Sequence, residues 1–193
     1  MTDPNLPIYN LVGDKVAIGP NRRDQAPLFE RWFNDLEVMI PFEFDSLSPM
    51  TRDATEHALD PGPRNDSRRD FTIYEVEAHR PIGWANLHRI SFSQRIAEFG
   101  ICIGDRSCWD KGYGTEATQL VLDFAFTGLS LNSVLLSAFA YNQRALRAYE
   151  KAGFREIGRW RQAHWIGGRA HDVVFMDCLA ADFVSPVLAK LMP

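Results

Sequence analysis

Between residues 71 and 103 the chain carries three apolar-rich runs, 71–78, 81–92 and 95–103, separated each time by only two residues (His79-Arg80 and Ser93-Gln94). Parallel neighbours need a crossover of a dozen or more residues, so links this short admit only an antiparallel meander. From Gly112 the period changes: Ala117, Leu120, Val121, Phe124 and Ala125 fall at i, i+3, i+4, i+7 and i+8. That spacing predicts an amphipathic helix over 112–126. A pleated meander feeding such a helix buries one against the other, which places the chain in the α+β layer class.

The remaining elements are read in the same way. Residues 15–19 form a short strand. Leu28, Phe29, Trp32, Phe33 and Leu36 recur at helical spacing behind Asp24, a capping residue, and predict a helix over 24–36. Residues 37–50 are irregular and aromatic, and 52–59 form a second short helix. The Pro- and Gly-rich stretch 60–67 is an internal loop, because too little chain precedes it for an independent core. Beyond the amphipathic helix come a strand at 134–140 and a helix at 142–152, capped by Asn142 and stopped by Gly153. Strands at 154–161 and 171–178 around Gly167-Gly168 complete the order β-α-α-β-β-β-α-β-α-β-β. The reading is one domain over 15–183, with terminal extensions 1–14 and 184–193.

Composition excludes several classes. A chain of 193 residues with 46% hydrophobic and 24% charged residues has enough apolar side chains for a core and is not a disordered segment. Its net charge of −4 argues against a nucleic-acid surface, which needs a basic face to release counterions. No apolar run reaches the length of a membrane span, and the first residues lack the basic and apolar stretches of a signal peptide. Three cysteines, Cys102, Cys108 and Cys178, have neither disulfide-framework nor zinc spacing. The expectation is a cytoplasmic protein without a metal.

The most informative stretch is Trp109-Asp110-Lys111-Gly112-Tyr113-Gly114-Thr115-Glu116-Ala117, between a strand and the amphipathic helix. Two glycines one residue apart let backbone amides approach a ligand, and the helix start adds unpaired N–H groups and partial positive charge. Together these suit a pyrophosphate; a glycine-rich turn with no ligand has the same sequence. There is no Walker-type phosphate loop, and alanine at 117 in a meander context does not fit the dinucleotide fingerprint.

This stretch resembles the acyl-CoA-binding signature of the GNAT superfamily of N-acetyltransferases, Arg/Gln-x-x-Gly-x-Gly/Ala, with Trp109 in the first position. Asn142-Gln143-Arg144-Ala145-Leu146-Arg147-Ala148-Tyr149-Glu150-Lys151-Ala152-Gly153-Phe154 is similar to its second hallmark, an Asn-capped helix ending in Tyr-Glu-Lys-x-Gly-Phe. Gly158, Arg161, Gly168, Asp172 and Met176 resemble the branch that includes ribosomal-protein N-terminal and small-amine acetyltransferases.

The resemblance implies a GNAT-like fold. Its mixed, mostly antiparallel sheet would have about seven strands flanked by about four helices, splayed in the middle for acyl-CoA. It implies acetyl-CoA as co-substrate, direct transfer to a primary amine of a small molecule or a protein N-terminus, and no metal, nucleic acid or membrane partner. The pyrophosphate would sit on Lys111, Gly112, Tyr113, Gly114 and Thr115. The pantetheine would run along Ile101 and Ile103, with an amide near Ile101 polarising the thioester and Gly100 at a bulge. Asn142 would hold the pantetheine or serve as a cap alone, and Arg144 and Arg147 could reach the CoA phosphates or lie in solvent. Tyr149 takes the place of the acid that protonates the leaving thiolate, a role its helical spacing also explains as packing. Glu98, a carboxylate in an apolar strand, is the candidate base or the holder of a water. Phe42, Phe44 and His164 are expected at the acceptor. A homodimer is compatible with the chain, and so is a CoA-binding sensor without catalysis.

Overall fold

The computed structural model describes residues 6–42, 47–60 and 66–192, and within them the meander stands at the centre of an eight-stranded sheet. Its strands are β1 (Leu11–Val12), β2 (Val16–Pro20), β3 (Arg69–Glu75), β4 (Arg80–Ser91), β5 (Ile96–Ile103), β6 (Ser133–Phe139), β7 (Arg155–Ile166) and β8 (Arg169–Leu179), in the spatial order β1-β2-β3-β4-β5-β6-β8-β7. Only β5 and β6 are parallel. The strand beyond the expected seven is β1, whose two residues are too few to show alternation.

Among the described residues five α-helices accompany the sheet: α1 (Ala26–Phe33), α2 (Leu36–Met39), α3 (Arg52–Leu59), α4 (Tyr113–Asp123), which runs on as a wider turn over Phe124–Gly128, and α5 (Gln143–Ala152). The single helix expected over 24–36 is broken. Asp24 does not cap it, because its carboxylate is bound by the Arg22 guanidinium at 2.7–3.0 Å. Pro27 lies in the first turn of α1, where a missing N–H costs nothing. Asp35 then accepts the Glu37 amide at 3.0 Å and starts α2.

Strand alternation divides the core between two faces. Ala85 and Leu87 of β4, with Phe99, Ile101 and Ile103 of β5, join the apolar cluster built with Ala117, Leu120 and Val121 of α4 and Leu146 of α5. Trp84 and Cys102 point the opposite way, into an aromatic cluster with Phe29 and Trp32 of α1 and Leu59 of α3. Residues outside the expected 15–183 take part in the fold. β1 pairs with β2, and Asp123, fully buried, accepts the amides of Val187 and Leu188 at 2.9 and 2.8 Å.

The sheet is continuous except at one place. β5 and β6 share only the pairs Ile96↔Ser133, Ala97↔Val134 and Glu98↔Leu135. Beyond Glu98, β5 stays with β4 as far as Ile103, while β6 stays with β8 as far as Phe139. The two strands therefore diverge, and the facing edge of β5 loses its ladder partner. Gly100 is not the bulge expected there: it sits in regular register opposite Asn86, and the irregularity falls in β4 between His88 and Ser91, where Arg89 has φ +50°.

Candidate active site

The divergence opens a slot of about 370 Å³ that passes through the sheet. On the helix-α5 side its wall consists of Phe99, Ile101 and Ile103 of β5, Gly114 of α4, and Ala145, Ala148 and Tyr149 of α5. On the other side it is bounded by Asn86 and His88 of β4, Glu98 and Gly100 of β5, and Arg68, with Val38, Pro41 and Phe42 as a roof. Gly100 stands between the two mouths, and a Cβ there would come within 3.2 Å of the Asn86 Oδ1. The roof is tied to the slot by two side chains. Tyr141 donates from its hydroxyl to the Ile40 carbonyl at 2.8 Å, and Asn142 donates from Nδ2 to the Pro41 carbonyl at 3.2 Å.

Next to the helix-side mouth lies a second hollow, lined by Trp109, Asp110, Gly112, Gly114, Thr115, Arg144, Arg147 and Lys151. Gly112 precedes α4 at φ +82°, the left-handed region that glycine adopts without strain. It turns the chain so that the first amides of α4 head the hollow with no intrahelical acceptor. Gly114 has open space: a Cβ there would make an ordinary contact of 3.7 Å with Ile103 Cγ1. The protein's own packing therefore tolerates a side chain at this position. Three basic side chains at a helix N-terminus suit the phosphates of CoA.

Trp109, the departure from the superfamily signature, has two partners. Its indole N–H donates to the Ile103 carbonyl at 2.7 Å, and the Arg144 guanidinium stacks on its ring at 3.5 Å. The Ile103 carbonyl thus already accepts one hydrogen bond, from the wall of the slot itself. Asn142 caps α5 by accepting the Ala145 amide at 3.2 Å while it holds the roof, so its side chain serves both the helix and the slot wall.

Tyr149 is half-buried against Phe99 and Phe154, with ring centroids 6.3 and 6.0 Å away. Burial, together with the neighbouring Cys102, pushes its phenol above the usual tyrosine range, and no hydrogen bond to a described residue engages the hydroxyl. Burial likewise raises the Cys102 thiol, against the pull of Arg144.

Glu98 pairs with two groups: Oε1 accepts from Arg89 Nη1 at 2.8 Å, and Oε2 lies 3.3 Å from His88 Nε2. The slot brings Tyr149, Glu98, Ile101, Ile103, Gly114, Asn142, Arg144 and Phe42 together, and the adjoining hollow adds Gly112, Tyr113, Thr115 and Arg147.

The contacts expected at Lys111 and Tyr113 are those of their backbone amides; Lys111 also borders a separate concavity with Asp14, Lys15, Glu75 and Glu77, and the Tyr113 hydroxyl donates to Glu75 Oε1 at 2.8 Å. One expectation is corrected. His164 does not line the slot: β7 holds it opposite His171 and its ring stacks on Phe139 at 3.9 Å. Phe44 lies outside the described residues. Asn86, His88 and Arg68 were missed as wall residues. His88 and Glu98 are register partners, and only the irregular end of the β4–β5 hairpin fixes that pairing.

An acetyltransferase (GNAT) domain model matches residues 18–155. The chain belongs to the GNAT acetyltransferase family. This GNAT chain is 24% identical over 178 residues to an uncharacterized N-acetyltransferase, p20, of Bacillus licheniformis, covering 90% of the chain and 97% of that protein. It is 31% identical over 101 residues to the putative ribosomal N-acetyltransferase YdaF of Bacillus subtilis, covering 52% of the chain and 55% of the relative. The crystal structure of spermidine N-acetyltransferase from Vibrio cholerae in complex with CoA and spermine superposes with a TM-score of 0.79 at 25% identity, over 88% of this chain and 98% of that one.

The GNAT chain is accordingly an N-acetyltransferase with acetyl-CoA as co-substrate, moving acetyl groups to amines. Among the described residues no group of three or more His, Cys, Asp or Glu side chains is placed to hold a metal ion, and no helix is long and apolar enough to cross a membrane.

Proposed function

We propose that this acetyltransferase transfers acetyl directly from the CoA thioester to a primary amine, either of a small molecule or of a protein N-terminus, across the splay between β5 and β6. The observation that carries the reading is a slot with two chemically different mouths. One is apolar and leads to a helix N-terminus with Arg144, Arg147 and Lys151; the other is polar, with Asn86, His88 and Glu98. A thioester held from the first side and an amine admitted from the second meet at Gly100. The unpaired edge of β5 supplies backbone N–H groups near Ile101 to a developing oxyanion.

Tyr149 donates its proton to the departing thiolate sulfur; its raised phenol stays protonated until then. Direct transfer fits better than an acetylated Cys102, because the buried thiol is held in its unreactive neutral form. The test is free-thiol release from acetyl-CoA against a panel of polyamines, amino sugars and short peptides with free N-termini. Release with at least one primary amine is expected. A protein that binds CoA and acetylates no amine in the panel would overturn the reading.

A further inference from the structure

The strand registers lay out the polar mouth as two rows across the sheet. Asp70 of β3, Asn86 of β4 and Gly100 of β5 are successive register partners, and so are His88 of β4 and Glu98 of β5. Arg68 precedes β3, whose first pair is Arg69↔Leu87, and it extends the second row beside His88. Positions two apart along a strand share a face, so both rows lie on one side of the sheet. Arg68 lines the slot there together with Asn86, His88 and Glu98.

The charges in these rows are not equivalent. Glu98 is the one carboxylate among the described residues that line the slot, and both of its oxygens are engaged. Oε1 accepts from Arg89 Nη1 at 2.8 Å, and Oε2 lies 3.3 Å from His88 Nε2. Arg68 is held along one edge alone. Its Nε–H donates to the Asp70 carboxylate at 2.8 Å, and Nη2 lies 2.7 Å from the same group. A guanidinium has five N–H donors in a fixed fork. Asp70 takes the Nε–H and one N–H of Nη2, so the Nη1 edge has no hydrogen-bonding partner among the described residues. The Arg68 charge is felt within the mouth: burial, with Arg68 and Arg89, holds the His88 ring below the usual histidine range against the pull of Glu98.

We propose that Arg68 recognises an oxyanion on the acceptor, so that the primary amine belongs to a small molecule bearing a carboxylate or a phosphate. The inference deepens the transfer reading above and rests on the amine entering by the polar mouth. A guanidinium pinned by a carboxylate along one edge is preorganised, and its outer edge matches a second oxyanion. A polyamine asks for the opposite, a free carboxylate for each further ammonium, and Glu98 is already paired with Arg89. The fold shared with a spermidine N-acetyltransferase thus carries, in this chain, a mouth whose free charge is positive. Arg68 is a specificity residue: it touches the acceptor away from the reacting nitrogen.

Two measurements on the full chain test this. The first is kcat/KM by thiol release with matched acceptors: amino acids against their amides, glucosamine 6-phosphate against glucosamine, and spermidine. At least one anionic amine should exceed both its neutral counterpart and spermidine by about tenfold or more, through KM. Preference within the first pair identifies a carboxylate acceptor, and within the second a phosphorylated one. Arg68→Gln should bring that ratio to within about twofold of one, while Arg68→Lys, which keeps the charge and loses the fork, should retain part of it. Spermidine or a neutral amine preferred over every anionic one, or a ratio unchanged in Arg68→Gln, would overturn the proposal. The second measurement needs no turnover: calorimetry of the CoA-bound protein with the N-acetylated products of each pair. The anionic product should again bind about tenfold tighter than its neutral counterpart, and Arg68→Gln should abolish the difference. Absence of that difference in the wild type overturns the Arg68 assignment. If CoA binds and no amine is acetylated, the transfer reading fails, and the product calorimetry alone decides the role of Arg68.

Discussion

Replacing Tyr149 by phenylalanine removes one atom whose structural and chemical contributions can be separated. The ring keeps its contacts with Phe99 and Phe154. The hydroxyl has no hydrogen-bonding partner among the described residues, so its loss orphans no buried group. Removing an unpaired hydroxyl changes stability by less than about 1 kcal/mol in either direction. The pocket for CoA is unaltered, so affinity for acetyl-CoA should stay within about twofold.

What disappears is a proton positioned for the leaving sulfur, and kcat should fall roughly 10–10³-fold, about 1.4–4 kcal/mol of barrier. kcat and kcat/KM should fall together, because the interaction matures only in the transition state. The raised phenol also fixes a sign. An acid must be protonated to act, and a group whose pKa lies above the ordinary ~10 stays so through the working range. The wild-type profile should therefore show no alkaline limb from Tyr149 below about pH 10. The assay is steady-state thiol release at saturating acetyl-CoA, with viscosity controls to establish that chemistry limits turnover. Under those conditions, a Tyr149→Phe enzyme with wild-type kcat refutes the assignment.

Other outcomes follow from the same geometry. Gly114→Ala should fold at least as stably as the wild type, since the helix gains alanine and the Cβ meets only Ile103 at 3.7 Å, yet bind CoA at least tenfold more weakly by calorimetry. Gly112→Ala should instead lose about 1–2 kcal/mol in denaturant melts, because φ +82° is strained for any side chain. Asp123→Ala removes the acceptor of the Val187 and Leu188 amides and the Thr127 hydroxyl, and should cost about 2–4 kcal/mol. Burial pushes this carboxyl up, but hydrogen bonds from Ser185, Leu188, Thr127 and Val187 hold it below its usual range. Its stabilisation is thus fully present above pH ~4 and lost as pH falls through the lower folded value, which a wild-type against Asp123→Asn comparison of Tm versus pH would register. Phe42→Ala should raise the acceptor KM with CoA affinity intact, whereas His164→Ala should leave both unchanged, because only Phe42 lines the slot.

Much of this protein was determined locally. Links too short for a crossover require antiparallel neighbours. They are four residues long (76–79 and 92–95) rather than the expected two, and they still produced β3, β4 and β5 in the expected order. The period change at Gly112 produced α4, and the Asn142 cap with the Gly153 stop produced α5, because capping and amphipathicity act within a few residues. The glycine-bearing turn into α4 was legible for the same reason: its conformation and the helix start are properties of consecutive residues.

What only the tertiary structure decided depends on registers between segments far apart in the chain. The separation of β5 from β6 after Glu98 is set by where each strand finds its other partner, and no residue in either strand announces it. The β4–β5 register put His88 opposite Glu98, and the β6–β8–β7 pairings carried His164 to Phe139. Trp109 shows the division within one residue. Its place in the turn came from the sequence, while its bond to Ile103 and its stack under Arg144 required the strand and α5 to arrive beside it. Side-chain identity is written residue by residue, but a cleft through a sheet exists only where two strands stop pairing, and that is a property of the assembled ladder.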